Sequence, residues 1–412
     1  MQPYGLFEVL GIELEYMLVD LAGRSIRSDV ATILQKDGKS VDELHFDGTA
    51  WSNELVSHVL EIKSEPPAKT VADAYPLFRR DLEGLIKDLN QRGYTLMGTG
   101  MHPFMNPREM ELWPGENGPI YQTFHRIFDC TGHGWSNLQS MHLNYPFKND
   151  EEFGRLMAAI RVLLPLLPAL SASSPICENK WTGFADYRLE VYRNNAARIP
   201  SISGDVIPEP VFEMERYQEE VLGRIYEDLE PYDAEGILRE EWVNARGAIA
   251  RFDRNAIEIR ILDTQESLCM DMAIALVVTE TLRALVEERW CSYESQRKCS
   301  QEILIHHFNQ SIRYSGKADL EGSYSALFGG LKKGSMHSLW QNICEELYFS
   351  SHHGLDNSVE FLLARGSFSR RIKSFLEKQS GYPLMDIPVN LGPEVLKLYS
   401  GMTSPLMEPF DA

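Results

Sequence analysis

Gly11-Ile12-Glu13-Leu14-Glu15-Tyr16 alternates apolar and acidic residues, and this stretch decides the fold. Side chains point to the two faces of a β-strand in turn, so Glu13 and Glu15 share one face while the apolar residues share the other. One face then suits a hydrophobic core, and the other suits polar chemistry. The stretch therefore predicts a strand in a sheet that has one acidic face.

Three later segments also place a polar side chain inside an apolar, strand-like run. The interrupting residues are Glu61, His142 and Glu258, and Glu54 lies a short distance before Glu61. Alternating Glu on one half-exposed strand is commonplace, and a lone His is more often a hydrogen-bonded core residue than a ligand. Charged residues are seldom buried without a partner, however, and the repetition in four segments favours a shared site.

Carboxylates that converge inside a fold are strongly unfavourable unless protons or cations neutralise them, so this pattern points to a metal. A set of oxygen ligands with a single imidazole suits Mg²⁺ or Mn²⁺ better than zinc. The candidate metal ligands are Glu13, Glu15, Glu54, Glu61, His142 and Glu258.

Magnesium ions in enzymes usually serve phosphates, which also need guanidinium or ammonium donors. Arg can hold a phosphate or a carboxylate with two parallel hydrogen bonds, and the candidates here are Arg188, Arg193, Arg198 and Arg260. Arg260 is the strongest candidate because it shares a predicted strand face with Glu258. Arg188 follows, since it lies in a polar, loop-like region.

The composition excludes several functional classes. With 412 residues, 43% of them hydrophobic, and a net charge of −20, the chain can form a large core but is unsuited to nonspecific binding of nucleic acid or of an anionic membrane. The apolar run at 162–176 contains three prolines and is too short to span a bilayer. The N-terminus lacks the basic region and apolar run of a signal peptide, so we expect a cytoplasmic protein with six free, reduced cysteines.

The order of the predicted elements favours an α+β fold with a mainly antiparallel sheet, because strands do not alternate regularly with helices. A polar region at 171–210, without clear periodicity, is predicted to be a long functional loop. We expect a catalytic core at 1–290 and a mostly helical part at 291–412 that packs on the same domain. Strands are predicted at 7–19, 55–63, 94–98, 140–146 and 256–263, and helices at 70–92, 150–170 and 270–290.

Several motifs, in order along the chain, resemble those of the glutamate-cysteine ligase superfamily, in particular the carboxylate-amine ligases of the second glutamate-cysteine ligase family. The resemblance covers residues 11 to 263, about two-thirds of the chain. The motifs are Gly11-Ile-Glu-Leu-Glu15, the pair Glu54 and Glu61, Ser140-Met-His-Leu-Asn144, Leu170-Ser-Ala-Ser-Ser-Pro175, Thr182-Gly-Phe-Ala-Asp-Tyr-Arg188 and Ile257-Glu-Ile-Arg-Ile-Leu-Asp263.

The resemblance implies a glutamine-synthetase-like fold, in which a curved, mainly antiparallel sheet forms a funnel for ATP and metals and carries helices on its outer face. It implies that Arg260 contacts nucleotide or phosphate. We expect the six candidate ligands to hold two or three Mg²⁺ ions around the ATP phosphates, and Arg188 and Arg198 to join Arg260 in binding nucleotide or phosphate. Arg260 and Arg188 are the residues expected to assist phosphoryl transfer to a substrate carboxylate, which gives an acyl phosphate that an amine attacks.

Three functions are compatible with these residues. The first is ligation of a carboxylate to an amine, with amino acids as substrates and glutamate and cysteine as the leading pair. The second is metal-dependent phosphohydrolysis, which more typically uses several Asp and His ligands. The third is a non-catalytic nucleotide or metabolite sensor. Residues 95–135 and 171–210 are expected to form the substrate pocket, and a homo-oligomer is compatible with the sequence.

Overall fold

The fold is built on an eight-stranded sheet in a computed structural model. The structure describes residues 3–23, 25–330, 334–347, 354–381, 383–384, 389–392, 394–400, 404–406 and 408–410. The strands are β1 (Gly11–Asp20), β2 (Gln35–Lys36), β3 (Lys39–Ser40), β4 (Glu43–His45), β5 (Gly48–Asn53), β6 (Val59–Glu65), β7 (Tyr94–Met97), β8 (Ser140–Pro146), β9 (Ile176–Cys177), β10 (Lys180–Trp181), β11 (Ala248–Arg251), β12 (Ala256–Asp263) and β13 (Val389–Asn390).

The long strand β1 organises the main sheet, whose order is β11-β12-β8-β1-β6-β5-β4, with β7 also paired to β1. Every pairing in this sheet is antiparallel. The register places Glu15 opposite Glu61 and Glu13 opposite both Lys63 and His142. The predicted acidic face of β1 therefore meets polar residues of the strands on both sides.

The other face of the sheet is apolar and fully buried. Ile12, Leu14 and Tyr16 of β1 have no exposed surface, and they belong to one hydrophobic cluster with Leu143 of β8 and Ile259 of β12. Three long helices, Val71–Gln91, Asp150–Leu163 and Leu268–Val286, contribute to the same cluster. Burial of this face fixes the register, because a shift by one residue would turn every side chain to the wrong side.

The remaining helices surround this core. The chain forms helices α1 (Val71–Gln91), α2 (Gly118–Phe128), α3 (His133–Ser136), α4 (Asp150–Leu163), α5 (Leu167–Ser171), α6 (Tyr187–Tyr192), α7 (Met214–Tyr217), α8 (Arg224–Leu229), α9 (Leu268–Val286), α10 (Tyr293–Arg297), α11 (Gln301–Tyr314), α12 (Gly322–Ser325), α13 (Met336–Leu347), α14 (Asp356–Arg365), α15 (Phe368–Ser380) and α16 (Glu394–Ser400). A second hydrophobic cluster joins α15 and α16 to the far end of β1.

Local signals explain the main helix boundaries. Thr70 caps α1 by accepting a hydrogen bond from the Asp73 amide, and Asn149 caps α4 by accepting one from the Glu152 amide. α4 ends at Leu163, just before Pro165, and the chain continues through a 3₁₀ turn into α5, which has Pro168 in its first turn. The prediction of a helix that prolines kink or end at 150–170 is confirmed.

The α+β fold class and the mainly antiparallel sheet are also confirmed, but three local predictions are wrong. The first strand begins at Gly11 rather than at residue 7, and the second begins at Val59 rather than at residue 55. Glu54 follows the unpredicted strand β5 and lies in the β5–β6 connection, because the chain reverses direction there. The region 171–210 is not a continuous loop, since it contains the β9–β10 hairpin and α6.

Residues beyond 290 do pack on the same core: Leu304, Phe308 and Trp340 belong to the cluster that contains β1. The division of the chain at residue 290 stays a prediction.

All six cysteines are unpaired. One segment, Asp150–Ser171, is long and apolar enough to cross a membrane by length and composition alone, but 94% of its most apolar window is buried inside the protein, as in a core helix.

A close backbone approach at Gly98 gives a test of this packing. A Cβ atom at Gly98 would lie 2.2 Å from the carbonyl oxygen of Gln265, in the loop that follows β12. We expect Gly98→Ala to lower the free energy of unfolding by about 1–3 kcal/mol, because the loop must shift to admit the methyl group. Urea denaturation followed by circular dichroism measures this change.

Gly84→Ala is the matched control, since Gly84 is exposed on α1 and a Cβ there meets no atom within 4 Å. Alanine is the better helix former, so this variant should be stabilised by up to about 1 kcal/mol. Equal stability of Gly98→Ala and the wild type would contradict the tight packing between β7 and the loop after β12.

Candidate active site

The acidic face of the sheet forms one wall of a cavity of about 440 Å³. All six predicted metal ligands line this cavity, and so do Arg188 and Arg260. Walls also come from α2, from α6 and from the segment before β11, so the predicted contribution of residues 95–135 and 171–210 is present. Residues 242–245 complete the wall and were not predicted.

His142 lies at the centre of the acidic cluster. Its Nδ1 atom is 3.1 Å from a Glu13 oxygen and 3.7 Å from a Glu258 oxygen. Its Nε2 atom is 2.9 Å from the Ser140 hydroxyl and 3.7 Å from a Glu15 oxygen. The three carboxylates thus surround one imidazole, because β1, β8 and β12 are neighbouring strands.

Glu15 and Glu61 face each other across the β1–β6 pair, and each is fixed by a neighbour. Glu15 accepts hydrogen bonds from the Ser140 amide at 2.7 Å and from the Ser140 hydroxyl at 3.1 Å. Glu61 accepts one from the Ser52 hydroxyl at 2.6 Å and lies 3.5 Å from the Lys63 ammonium. The side chains are therefore oriented toward the cavity before any ligand binds.

Two carboxyls of the cluster are held in surroundings that disfavour their charged form. Burial raises the pKa of Glu54 well above its usual range, and the charges of Glu15 and Glu61 raise it further. Burial, followed by the charge of Glu13, raises the pKa of Glu61 to about 7, although the Lys63 ammonium lies 3.5 Å away. A cation bound beside these two carboxyls would favour their charged form.

Glu13 and His142 form the complementary ion pair of the cluster. Burial alone would raise the pKa of Glu13, but the hydrogen bond and the charge of His142 outweigh it and hold that pKa below its usual range. Burial alone would lower the pKa of His142, but Glu13, Glu15 and Glu258 raise it to about 9. The raised pKa favours the imidazolium form of His142, which places a positive charge among three carboxylates.

The donor geometry fits a metal ion. One ligand atom each from Glu13, His142 and Glu258 lie within 4.8 Å of one another. Glu15, Glu54 and Glu61 line the same cavity and add oxygen ligands of the kind that Mg²⁺ and Mn²⁺ prefer. Once His142 and the carboxyls with raised pKa values, Glu54 and Glu61, lose their protons, these residues can bind a metal ion.

Two arginines flank Glu258 at the other side of the cluster. The Arg260 Nε atom is 2.9 Å from Glu258, and Arg251 Nη1 donates to the second carboxylate oxygen at 3.1 Å. Arg260 also donates to the Asn244 carbonyl at 3.1 Å, while Arg251 binds Asp253. The predicted shared face of Glu258 and Arg260 is thus present, although the strand is irregular after Ile259.

Arg188 is almost fully buried on α6 and borders the cavity, and its Nε donates to Asp263 at the end of β12. Two other predicted arginines are not brought to the site. Arg198 donates to the Ile127 carbonyl and stacks on Tyr232, and Arg193 is paired with Glu190 and Asn309. Neither lines the cavity, because each is held by a contact outside it.

The sequence reasoning missed several lining residues. Lys63, Arg251 and Arg254 add positive charge, and Arg254 lies 3.5 Å from Glu13 at an exposed position. The period of two on β6 could have found Lys63, which shares a face with Glu61. The signal for Arg251 and Arg254 was weaker, since it required the pairing of β11 with β12.

The cavity wall opposite the carboxylates is aromatic and was also missed. Phe124, Trp135 and Trp242 line it and are half-buried, and the Phe124 ring centroid is 5.3 Å from that of Trp135 and 5.9 Å from that of Trp242. Tyr121 lies beside them and accepts a hydrogen bond from Asn53 at 2.9 Å. The cavity thus joins a charged region to an apolar one.

Solved structures with the same fold include two ligases. The chain resembles a glutamate–cysteine ligase from Francisella tularensis, solved in complex with AMP, at a TM-score of 0.56 and 12% identity, over 97% of this chain and 89% of that one. It resembles a bifunctional glutathione synthetase from Pasteurella multocida at a TM-score of 0.54 and 12% identity, over 97% of this chain and 52% of that one. The glutamine-synthetase-like ligase fold is therefore confirmed.

Sequence relatives carry the comparison further. An uncharacterised protein of Archaeoglobus fulgidus is 36% identical over 307 residues, which is 74% of this chain and 79% of that protein. A protein of Roseiflexus castenholzii, provisionally named glutamate–cysteine ligase 2, is 30% identical over 188 residues, which is 45% of this chain. The match spans 46% of the Roseiflexus protein, about half its length.

The sequence profile of glutamate-cysteine ligase family 2 matches residues 9–324, which include every cavity-lining residue discussed above. The strands that carry the acidic cluster, the helix that carries Arg188 and the aromatic wall all lie inside this match. The chain therefore belongs to glutamate-cysteine ligase family 2, a family of carboxylate–amine ligases.

Proposed function

We propose that this protein uses ATP and Mg²⁺ to join a carboxylate to an amine through an acyl phosphate. The observation that carries the proposal is the convergence of six acidic or imidazole side chains with Arg188 and Arg260 in one cavity of a ligase-family fold. Uncompensated buried carboxyls need cations, and phosphates need both cations and guanidinium donors. One nucleotide–metal complex would satisfy both requirements.

The residues that would hold Mg²⁺ are Glu13, Glu15, Glu54, Glu61, His142 and Glu258. When bound there, the ion would supply positive charge that neutralises charge on phosphate oxygens. The chain itself supplies orientation, since Ser140 and Ser52 fix Glu15 and Glu61 through hydrogen bonds.

The reaction needs no side-chain nucleophile. A substrate carboxylate oxygen would attack the γ-phosphorus of ATP, and ADP would leave. The amine would then attack the carbonyl carbon of the acyl phosphate, phosphate would leave and the amine would lose a proton, giving an amide. Arg260 would stabilise the charge on the transferred phosphoryl group, and Arg188 would bind a phosphate or substrate carboxylate.

Amino acids are the proposed substrates, with the glutamate γ-carboxylate and the cysteine amine as the first pair to test. The names of the relatives and the structural neighbours support this pair. The half-buried rings of Phe124, Trp135 and Trp242 form a wall against which an apolar part of a ligand can pack. Pocket walls, rather than metal ligands, select among amines and acids.

Loss of a ligand carboxylate tests the metal site. We expect Glu61→Gln and Glu258→Gln each to lower Mg²⁺-dependent ADP release by at least about 10²-fold, because each removes charge that stabilises the phosphates and their cations. A coupled assay for ADP measures the rate, and circular dichroism verifies the fold.

Glu65→Gln is the matched control: Glu65 lies on the same strand as Glu61, but it is exposed and pairs with His45 outside the cavity. Its activity should equal that of the wild type. Wild-type activity in both Glu61→Gln and Glu258→Gln would contradict the proposed metal site.

The dependence on both substrates separates a ligase from the alternatives. ADP release should require a carboxylate and an amine together, and mass spectrometry should detect a product equal to their sum minus water. Phosphate release from ATP without either substrate would instead indicate a phosphohydrolase. Tight ATP binding without turnover on any amino-acid pair would indicate a sensor.

Metal binding should depend on pH, since the raised pKa values of Glu61 and His142 mean that the metal-free fold holds extra protons. Their contribution to stability is present at low pH and is lost as pH rises through about 7 for Glu61 and about 9 for His142. Mg²⁺ must displace these protons, so it should raise the melting temperature more at pH 9 than at pH 6. If the rise in melting temperature caused by Mg²⁺ were independent of pH, or became smaller as pH rises, this linkage would be contradicted.

A further inference from the structure

Arg188 is a buried guanidinium with a free end. The side chain is 1% exposed, and its Nε donates to Asp263. Its Nη2 atom is buried and has no hydrogen-bond partner among the described residues. Buried donors are almost always satisfied, so an unpaired guanidinium nitrogen beside a cavity indicates a ligand that accepts a hydrogen bond.

Asp263, the partner of Arg188, is itself held from several directions. It has no exposed surface, and its Oδ2 accepts hydrogen bonds from the Ser173 amide at 2.8 Å and from the Ser174 hydroxyl at 2.7 Å. A Cβ atom at Gly100 would lie 2.4 Å from the carboxyl carbon, so the chain leaves space for the carboxylate on that side. The Ser173–Ser174 segment and Gly100 therefore form a cradle for this one carboxylate.

The two carboxylate oxygens of Asp263 have different partners. Oδ2 faces the serine cradle, and Oδ1 is left to accept from Arg188 Nε. Asp186, the second buried acid beside Arg188, plays a different role, because its Oδ1 accepts from the Leu189 amide and caps α6. Asp186 thus orients the helix that carries Arg188, whereas Asp263 orients the guanidinium.

An arginine side chain loses rotamer entropy when it binds a ligand. A guanidinium already fixed at Nε needs less further ordering to bind a ligand with its outer nitrogens. This arrangement resembles the support that outer residues give to ligands of metals and substrates. Asp263 is also the last residue of β12, the strand that carries Glu258 and Arg260, so one strand positions all three residues.

We propose that Asp263 is a positioning residue, which holds Arg188 so that its outer nitrogens bind an oxyanion of the substrates during ligation. The inference rests on the proposed function, because it assigns Arg188 to a bound carboxylate or phosphate. The shared chemistry of the two ligands is the planar or tetrahedral oxyanion, which a guanidinium edge can bind with two hydrogen bonds.

The test compares Asp263→Asn, Arg188→Gln and the double variant. Asp263→Asn should lower kcat/KM by about 10- to 100-fold, the range seen when the support of a functional ligand is lost. Because Asp263 acts through Arg188, the double variant should match Arg188→Gln within about threefold. The proposal would be overturned if the loss of kcat/KM in the double variant equalled the product of the losses in the two single variants. It would also be overturned if folded Asp263→Asn had the kcat and KM of the wild type.

Separate titrations of the substrates identify the oxyanion. If Asp263→Asn and Arg188→Gln raise only the KM for ATP, Arg188 binds a phosphate. If they raise only the KM for the acid substrate, Arg188 binds the substrate carboxylate. Either result supports the positioning role. Asp271→Asn is the control for the loss of a buried carboxylate, since Asp271 is equally buried but lies on α9, where it accepts from the Gln265 amide and Tyr16. It should leave kcat and KM unchanged.

Ser174→Ala keeps the proposal testable if Asp263→Asn does not fold, because it removes the 2.7 Å hydrogen bond to Asp263 while leaving the carboxylate in place. The same hydroxyl accepts a hydrogen bond from the Arg188 amide at 3.1 Å and donates to Asp186 at 3.5 Å, so circular dichroism must show that the fold is retained. It should shift the same kinetic parameter by a smaller factor, and an unchanged parameter would count against the proposal. A wild-type enzyme that ligates no amino-acid pair would overturn the proposed function instead. In that case, the positioning role is tested by crystal structures of the wild type and of a folded variant, Asp263→Asn or Ser174→Ala. An Arg188 guanidinium in the same position in both structures would exclude this role.

Discussion

The crowding of carboxylates on one face of the sheet is the constraint on which the rest of the structure depends. Like charges at this spacing in a buried wall oppose folding unless counter-charges lie among them. In the metal-free chain His142 supplies the central one, and Lys63, Arg251 and Arg260 supply others at the margins. The opposite face is mainly apolar and buried, which fixes the strand register and so keeps these charges facing one another.

The part of the site that could be predicted from the sequence is the part carried by long, alternating strands. The period of two gives the faces of Glu13, Glu15, His142 and Glu258 without knowledge of the fold. Glu54 was a candidate because it lies close to Glu61 and belongs to a quoted motif, but its place in the β5–β6 connection was not predicted, because a turn has no period. Ser173 and Ser174 were recognised as a motif, while their contact with Asp263 depends on residues far apart in the chain.

The residues that sequence reasoning missed or misassigned depend on tertiary pairing. Arg251 reaches Glu258 only because β11 pairs with β12, and an isolated arginine offers no sign of such a partner. Arg198 was a candidate by residue type, without the motif that contains Arg188, and its guanidinium is engaged by the Ile127 carbonyl and the Tyr232 ring. The aromatic wall comes from three separate segments, so no local window contains its pattern.

Charge is distributed unevenly along the cavity, and this distribution separates two kinds of ligand. Glu258 already has two guanidinium partners, whereas burial and neighbouring carboxylates raise the pKa of Glu54 and Glu61. Positive charge is therefore most needed beside Glu54 and Glu61, and a cation would supply it. Arg251, Arg254 and Arg260 lie toward Glu258 and Glu13, and each is already paired with a carboxylate. In the proposed function, the metal of a metal-bound nucleotide would compensate Glu54 and Glu61, while its phosphates would bind beside these guanidinium groups.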